Sequence, residues 1–212
     1  MDKNCLIVIP ARYNSQRFPG KVLAKIRGKA VLQWCYEAAV RSGLGRVLIA
    51  TEDRRVLDFA KNIGAEAVMT SARCASGTDR VYEAARNSRQ KYVINFQGDE
   101  PFMRAETLRA AFKHMLKGFD IGTAGAPITG DGEILDPNCV KIAMNKEGRA
   151  LYFSRSPIPF HHPLSVLKKY PWHKHCGFYI YKRSALERFV KLPPSPLELL
   201  ERLEQLRALE NG

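Results

Sequence analysis

The sequence predicts an α/β protein, a mostly parallel sheet with helices on both faces, to which a smaller mixed lobe is added. Three observations predict it. The run Cys5-Leu6-Ile7-Val8-Ile9 is apolar, too short to span a membrane, and ends at Pro10 in a basic polar loop, as a buried strand does when its carboxyl end opens on a ligand crevice. Short apolar runs then alternate with segments of helical spacing up to residue 97, which is the grammar of βαβ units. Beyond residue 120 the connections turn rich in Pro, Gly and His, and the alternation breaks.

In chain order, the loop after the first strand holds Arg12, Arg17 and Lys21 among Pro and Gly. Three cations there can converge on a polyanion such as a triphosphate, while main-chain N–H groups remain to donate. The spacing is neither that of a Walker loop nor that of a dinucleotide-binding turn. Leu32, Cys35 and Ala39 then recur at helical spacing and Gly43 closes a first helix. Residues 47–51 read as a strand, Asp53 as the N-cap of a helix with Val56, Phe59, Ala60 and Ile63 on one face, and Gly64 as its end. Residues 65–70 predict a strand, 78–88 a helix, and 92–97 a strand running into Gly98-Asp99-Glu100-Pro101. In the second half, 121–128, 139–144 and 176–181 read as strands of a lobe within about 121–183. Pro157, Pro159 and Pro163 surround Phe160, His161 and His162 in an irregular stretch suited to a substrate lid or a subunit contact. Pro193-Pro194-Ser195-Pro196 ends one helix and starts another, with Leu199, Leu203 and Leu206 on its apolar face.

A chain of 212 residues builds one main domain, 1–212. Its 34 basic and 21 acidic residues give +13, which favours anionic partners without choosing between nucleotides, nucleic acid and a membrane surface. Five scattered cysteines with no C-x-x-C pair argue against a disulfide framework and a zinc site, and fit a reducing cytoplasm. No signal pattern or spanning run is present. A basic nucleic-acid-binding protein is permitted by charge but disfavoured, since no aromatic-basic repeat or recognisable module occurs.

The candidate chemistry sits at strand ends. Asp99 follows a strand apolar enough to be central, and a carboxylate there is useful beside Mg2+, which takes one or two carboxylates plus phosphate oxygens and water. Glu100 could instead cap the next helix near Arg104. Ala75-Ser76-Gly77-Thr78-Asp79-Arg80 can offer N–H and hydroxyl groups to a phosphate or a base edge, and is equally an ordinary helix start. Arg155 ends an aromatic segment, where a guanidinium can take a substrate carboxylate or simply lie on the surface. His175, placed just before a strand, can orient a substrate hydroxyl or merely pack. The histidines lack metalloprotease spacing, so no zinc site is expected.

Taken together, Ile9-Pro10-Ala11-Arg12, Arg17-Phe18-Pro19-Gly20-Lys21, Ser76-Gly77-Thr78-Asp79-Arg80, Asn95-Phe96-Gln97-Gly98-Asp99-Glu100-Pro101, Ala150-Leu151-Tyr152-Phe153-Ser154-Arg155, His175-Cys176-Gly177-Phe178-Tyr179 and Leu203-Glu204-Gln205-Leu206-Arg207 resemble the CMP-3-deoxy-D-manno-octulosonate (CMP-Kdo) synthetases, in the family's own order along the chain. The resemblance implies a Rossmann-like nucleotide-diphospho-sugar transferase sheet and a cytoplasmic homodimer that activates Kdo with CTP for lipopolysaccharide synthesis, without nucleic-acid or membrane partners. It implies that Arg12, Arg17 and Lys21 hold the CTP phosphates, that Ser76, Gly77, Arg80 and Gln97 serve the nucleotide, and that Lys21 and Asp99 are catalytic, Asp99 through Mg2+. It places Arg155, His175, Tyr179, Glu204 and Gln205 around the sugar acid. A cytidylyltransferase for another acidic sugar, of the sialic-acid type, is the alternative within the class. Two departures stand out. Ile180, Tyr181 and Lys182 replace the family's Gly and Arg, and the sequence stops at Gly212 before the family's Val-Asp-Thr segment with its second metal ligand. A chain shortened in this way is expected to bind CTP, transfer weakly and aggregate.

Overall fold

A computed structural model describes residues 4–14, 18–160, 162 and 170–212. In chain order these form β1 (Cys5–Pro10), the small hairpin β2 (Lys25–Ile26) and β3 (Lys29–Ala30), α1 (Val31–Ser42), β4 (Arg46–Thr51), α2 (Arg54–Asn62), β5 (Ala67–Met69), α3 (Gly77–Ala85), β6 (Tyr92–Phe96), α4 (Ala105–Met115), β7 (Ile121–Pro127), α5 (Asp131–Leu135), β8 (Lys141–Met144), β9 (Ala150–Ser154), β10 (His173–Lys182), α6 (Arg183–Phe189), α7 (Pro196–Glu201) and α8 (Leu206–Glu210). The chain divides into two compact units, Met1–Thr123 with Gly177–Val190, and Ala124–Cys176 with Lys191–Gly212. None of the described helices is long and apolar enough to cross a membrane.

In the first unit the strand order is β5-β4-β1-β6-β10. The first four strands are parallel, with Ile7 opposite Val47 on one side and Ile94 on the other. β10 joins antiparallel, Ile180 opposite Ile94. Every residue of β1 and β6 is buried, the pattern of strands covered on both faces. Helix α1 packs against α4, and α3 lies against β1, β4 and β6. Local chemistry ends the helices where the sequence places the ends: Gly43 follows α1 at φ 65, and the Asp53 carboxylate accepts from Arg55 N at 2.9 Å to cap α2.

The second unit is a different construction. β8 and β9 pair antiparallel, with Lys141 opposite Ser154 and Ile142 opposite Phe153. Their turn is closed by Asn145, whose side-chain oxygen accepts from the main chains of Glu147 and Arg149 at 3.1 and 2.8 Å. A small core of Ile142, Phe153, Leu203 and Leu206 lies beneath.

Four local expectations are corrected. β9 is a strand where only an aromatic segment was read, because five short residues with an exposed Leu151 give no clean alternation. His175 lies inside β10 rather than before a strand. The helix drawn through Leu199, Leu203 and Leu206 is two helices, broken where Arg202 adopts φ 55, ψ 47 at the end of α7, and Leu199 is exposed. Glu100 does not cap α4, whose N-cap residue is Arg104.

Candidate functional site

In the first unit the ends of β1 and β6 bring two loops together. Gly98 N donates to Pro10 O at 3.3 Å, and a Cβ on Gly98 would stand 2.9 Å from the same oxygen. Only glycine therefore lets the turn after β6 lie against the loop after β1. The contact places Lys21 Nζ 2.9 Å from Asp99 Oδ2, with both side chains half exposed. Lys21 begins a short 3-10 turn entered through Gly20 at φ 73, and Gly20 packs on the Tyr13 ring. Arg12 is held by its Nη2 donating to Cys74 O at 2.9 Å. Arg17 lies outside the described residues.

The start of α3 borders the same loops. Ser76 Oγ accepts from Asp79 N at 3.1 Å, and Asp79 Oδ2 accepts from Ser76 N at 2.8 Å, a reciprocal cap. Gly77 leaves room for the Gln97 amide, 3.4 Å from where a Cβ would be. Gln97 donates to Asn95 Oδ1 at 2.8 Å, and Asn95 donates to Thr78 Oγ1 at 3.2 Å. The helix start and the end of β6 thus form one polar surface. Arg80 is not on it. Its side chain is buried, ion-paired to Glu52 at 3.0 Å and donating to Thr70 Oγ1.

Glu100 is a site residue that the sequence reading gave only a capping role. Burial, and then the charge of Asp99, push its carboxyl above the usual carboxylate range against the pull of Lys21. It fits because Gly177 of β10 has no side chain: a Cβ there would be 2.6 Å from Glu100 Oε1. Burial pushes the Cys35 thiol up to about 12, which makes it a packing atom rather than a nucleophile. Tyr179, also in this unit, lies opposite Asn95 across the β10–β6 pair and is buried.

Four of the predicted sugar-acid residues, Arg155, His175, Glu204 and Gln205, belong to the second unit. Arg155 donates from Nε to Glu201 O at 2.9 Å and from Nη1 to Pro137 O at 2.8 Å, and its main-chain N donates to Glu201 Oε2 at 3.0 Å. Its guanidinium therefore ties the end of β9 to α7. His175 meets Phe153 edge to face at 5.1 Å, and burial lowers its pKa to about 4, so the imidazole is neutral at pH 7. Gln205 is buried, and its amide nitrogen has no hydrogen-bond partner among the described residues. An orphaned buried donor is what a site that awaits an oxygen-rich ligand presents.

Two residues that sequence reasoning missed hold these groups in place. Lys141 is fully buried and donates to Asp136 O at 2.9 Å, Cys139 O at 2.6 Å and Arg155 O at 2.5 Å. Nothing in the sequence separates it from surface lysines. Glu52 could have been found, since it follows strand β4 as Asp99 follows β6.

A family profile described as cytidylyltransferase matches residues 6–212. A 3-deoxy-manno-octulosonate cytidylyltransferase of Elusimicrobium minutum is 50% identical over 210 residues, covering 98% of this chain and 86% of its own. An 8-amino-3,8-dideoxy-manno-octulosonate cytidylyltransferase of Shewanella piezotolerans is 44% identical over 216 residues, covering 99% and 87%. A solved CMP:2-keto-3-deoxy-manno-octonic acid synthetase complexed with CTP superposes with TM-score 0.91 at 39% identity, over 98% of this chain and 86% of that one. Identity at this level over nearly the whole chain, on a shared fold, places this protein in the cytidylyltransferase family, among the 3-deoxy-manno-octulosonate cytidylyltransferases.

Proposed function

We propose that this chain transfers CMP from CTP to 3-deoxy-D-manno-octulosonate, releasing pyrophosphate and supplying CMP-Kdo for lipopolysaccharide synthesis in the cytoplasm. The observation that carries the reading is the meeting of the Arg12–Lys21 loop and the Asp99 turn at the carboxyl ends of β1 and β6, closed by the 2.9 Å Lys21–Asp99 pair. In the reaction the anomeric hydroxyl attacks the α-phosphorus, a P–O bond forms, the α–β phosphoanhydride breaks, and the hydroxyl proton is released. Arg12 and Lys21 hold the triphosphate and neutralise the charge that moves to pyrophosphate. The polar surface of Ser76, Gly77 and Gln97 takes the nucleoside. Catalysis is positioning and electrostatic stabilisation, with no covalent intermediate.

Asp99 suits Mg2+: it is a half-exposed carboxylate whose neighbour is a cation that phosphate oxygens would also attract. No group of three or more His, Cys, Asp or Glu among the described residues would hold a metal unaided, but Mg2+ needs only one or two carboxylates when phosphate supplies the rest. When bound it would supply charge neutralisation at the phosphates. We assign Arg155, His175, Tyr179, Glu204 and Gln205 to the sugar acid, on the support of the orphaned Gln205 donor. A homodimer completes the reading, through residues 155–175, part of which lies outside the described residues.

The test is pyrophosphate release from CTP with Mg2+ and each of three acceptors: Kdo, its 8-amino analogue and a sialic acid. Release with Kdo well above the other two is expected. Release only with sialic acid, or with none, would overturn the assignment.

A further inference from the structure

Arg80 has a side chain only 1% exposed, on the first turns of α3. A guanidinium is buried at that depth only when it is paired. Its partner is Glu52, in the loop after β4, with Nη2 3.0 Å from Oε2. This is an ion contact rather than an aligned hydrogen bond, since neither Arg80 Nε nor Glu52 Oε2 has a hydrogen-bond partner among the described residues. Thr70 Oγ1 accepts from the other terminal nitrogen. The second Glu52 oxygen, Oε1, accepts from the main-chain N of Tyr13 at 3.2 Å.

Tyr13 directly follows Arg12, and its backbone is held at both ends. Its N donates to Glu52, and its O accepts from Gly20 N at 2.7 Å, next to Lys21. The Arg55 guanidinium carbon stands 3.4 Å over its ring. Arg12 is tied to the same helix by a separate route. It donates to Cys74 O, while Glu83 of α3 accepts from Ser71 N at 2.9 Å and from Cys74 Sγ at 3.1 Å. Arg12 and Lys21 are like charges on one loop and repel each other when no anion is present. A loop that must present them together gains affinity when its backbone is fixed beforehand.

We infer that Arg80 and Glu52 are positioning residues: a buried ion pair that fixes the Tyr13 backbone, and through it the loop that carries Arg12 and Lys21. Arg80 thereby acts on nucleotide binding without touching the nucleotide. The inference rests on the phosphate-binding reading of that loop, and the experiment separates the two. CTP binding by titration calorimetry, and KM for CTP and for Kdo, are measured for E52A, E52Q, R80M, the E52A/R80M double variant and R12A.

E52A is expected to weaken CTP binding about ten-fold and to leave KM for Kdo within about two-fold. E52Q keeps an oxygen facing Tyr13 N and should recover most of the loss. R80M should add little in the E52A background, because both act through one path. If E52A does not fold, E52D keeps the charge opposite Arg80 but shortens the reach to Tyr13, and should show the same selective loss. Losses from E52A and R80M that add in full would mean that the two residues act by independent routes and would overturn the relay. So would CTP binding within two-fold of the parent in folded E52A or E52D while R12A binds poorly. If R12A itself binds CTP normally, the phosphate-loop reading fails and takes the relay with it.

Discussion

The two units are held together by different physics. In the first, β1 and β6 are buried along their whole length between packed helices, and the site is assembled by main-chain contacts at strand ends, such as Gly98 N to Pro10 O. In the second, the core among the described residues is four buried side chains with partly buried ones packed against them, and much of the order comes from charged side chains stitched to main-chain carbonyls: Lys141 to three of them, Arg155 to those of Glu201 and Pro137. Arg207 donates instead to the Glu198 carboxylate, from Nε at 2.7 Å, across the capping box that starts α7. The difference teaches that an apolar sheet distributes its stability over many residues, each worth about 1–3 kcal/mol. A polar framework concentrates it in a few, whose loss leaves buried acceptors unsatisfied.

The largest effect expected is on chemistry in the first unit. Asp99→Asn should lower turnover roughly 100-fold or more with the thermal midpoint nearly unchanged, because the side chain is half exposed at a strand end. Near-native turnover at saturating Mg2+ would reject Asp99 as the metal carboxylate.

Lys141→Met should then cost about 3 kcal/mol, since three carbonyls lose their donor at once. Hydrogen exchange should accelerate in β8 and β9 and stay slow in β1 and β6. A loss under about 0.5 kcal/mol would mean that the stitching does not carry the second unit.

His175 gives a pH test of the same unit. Its folded pKa is depressed to about 4 from 6.5, so its contribution is fully present above the unfolded value and is lost as pH falls through about 4. The urea unfolding free energy should fall by on the order of 3 kcal/mol as pH drops from about 6.5 to about 4, and His175→Phe should flatten the slope. An unchanged slope in the variant would assign the acid sensitivity to other groups.

The smallest effect sharpens the contrast from the other side. Ile7→Val, at a fully buried position of β1, should cost about 1 kcal/mol and leave CTP binding unaltered. A cost as large as that of Lys141→Met would erase the distinction between the units.

Much of this was legible in the sequence because it is local. The all-apolar run at 5–9, the Asp53 cap and the Gly43 stop appear as read. The basic loop after β1 and the acidic turn after β6 are visible as motifs, and a parallel sheet brings the carboxyl ends of its strands to one edge. β9 was not legible, since a five-residue strand carries too little period to declare itself. Lys141 was not, because a lysine in a short strand looks the same whether buried or solvated, and Glu52 was legible only as a carboxylate after a strand, not as the partner of Arg80.

By itself, then, the sequence determined the alternating strands and helices up to β6 and the motifs that place the chain in its family, because hydrophobic period, caps and turn residues act over a few positions. It missed the β2–β3 hairpin and assigned to the second lobe the strand β10, most of which belongs to the first unit. Only the tertiary structure decided which charges meet. Lys21 and Asp99 are 78 residues apart, Arg80 reaches Glu52 across α3 and the loop after β4, and Gly177 stays bare to admit Glu100. Each of these depends on strand order and register, which crossover connections set at a distance, and for the Arg80–Glu52 pair burial then makes the pairing obligatory.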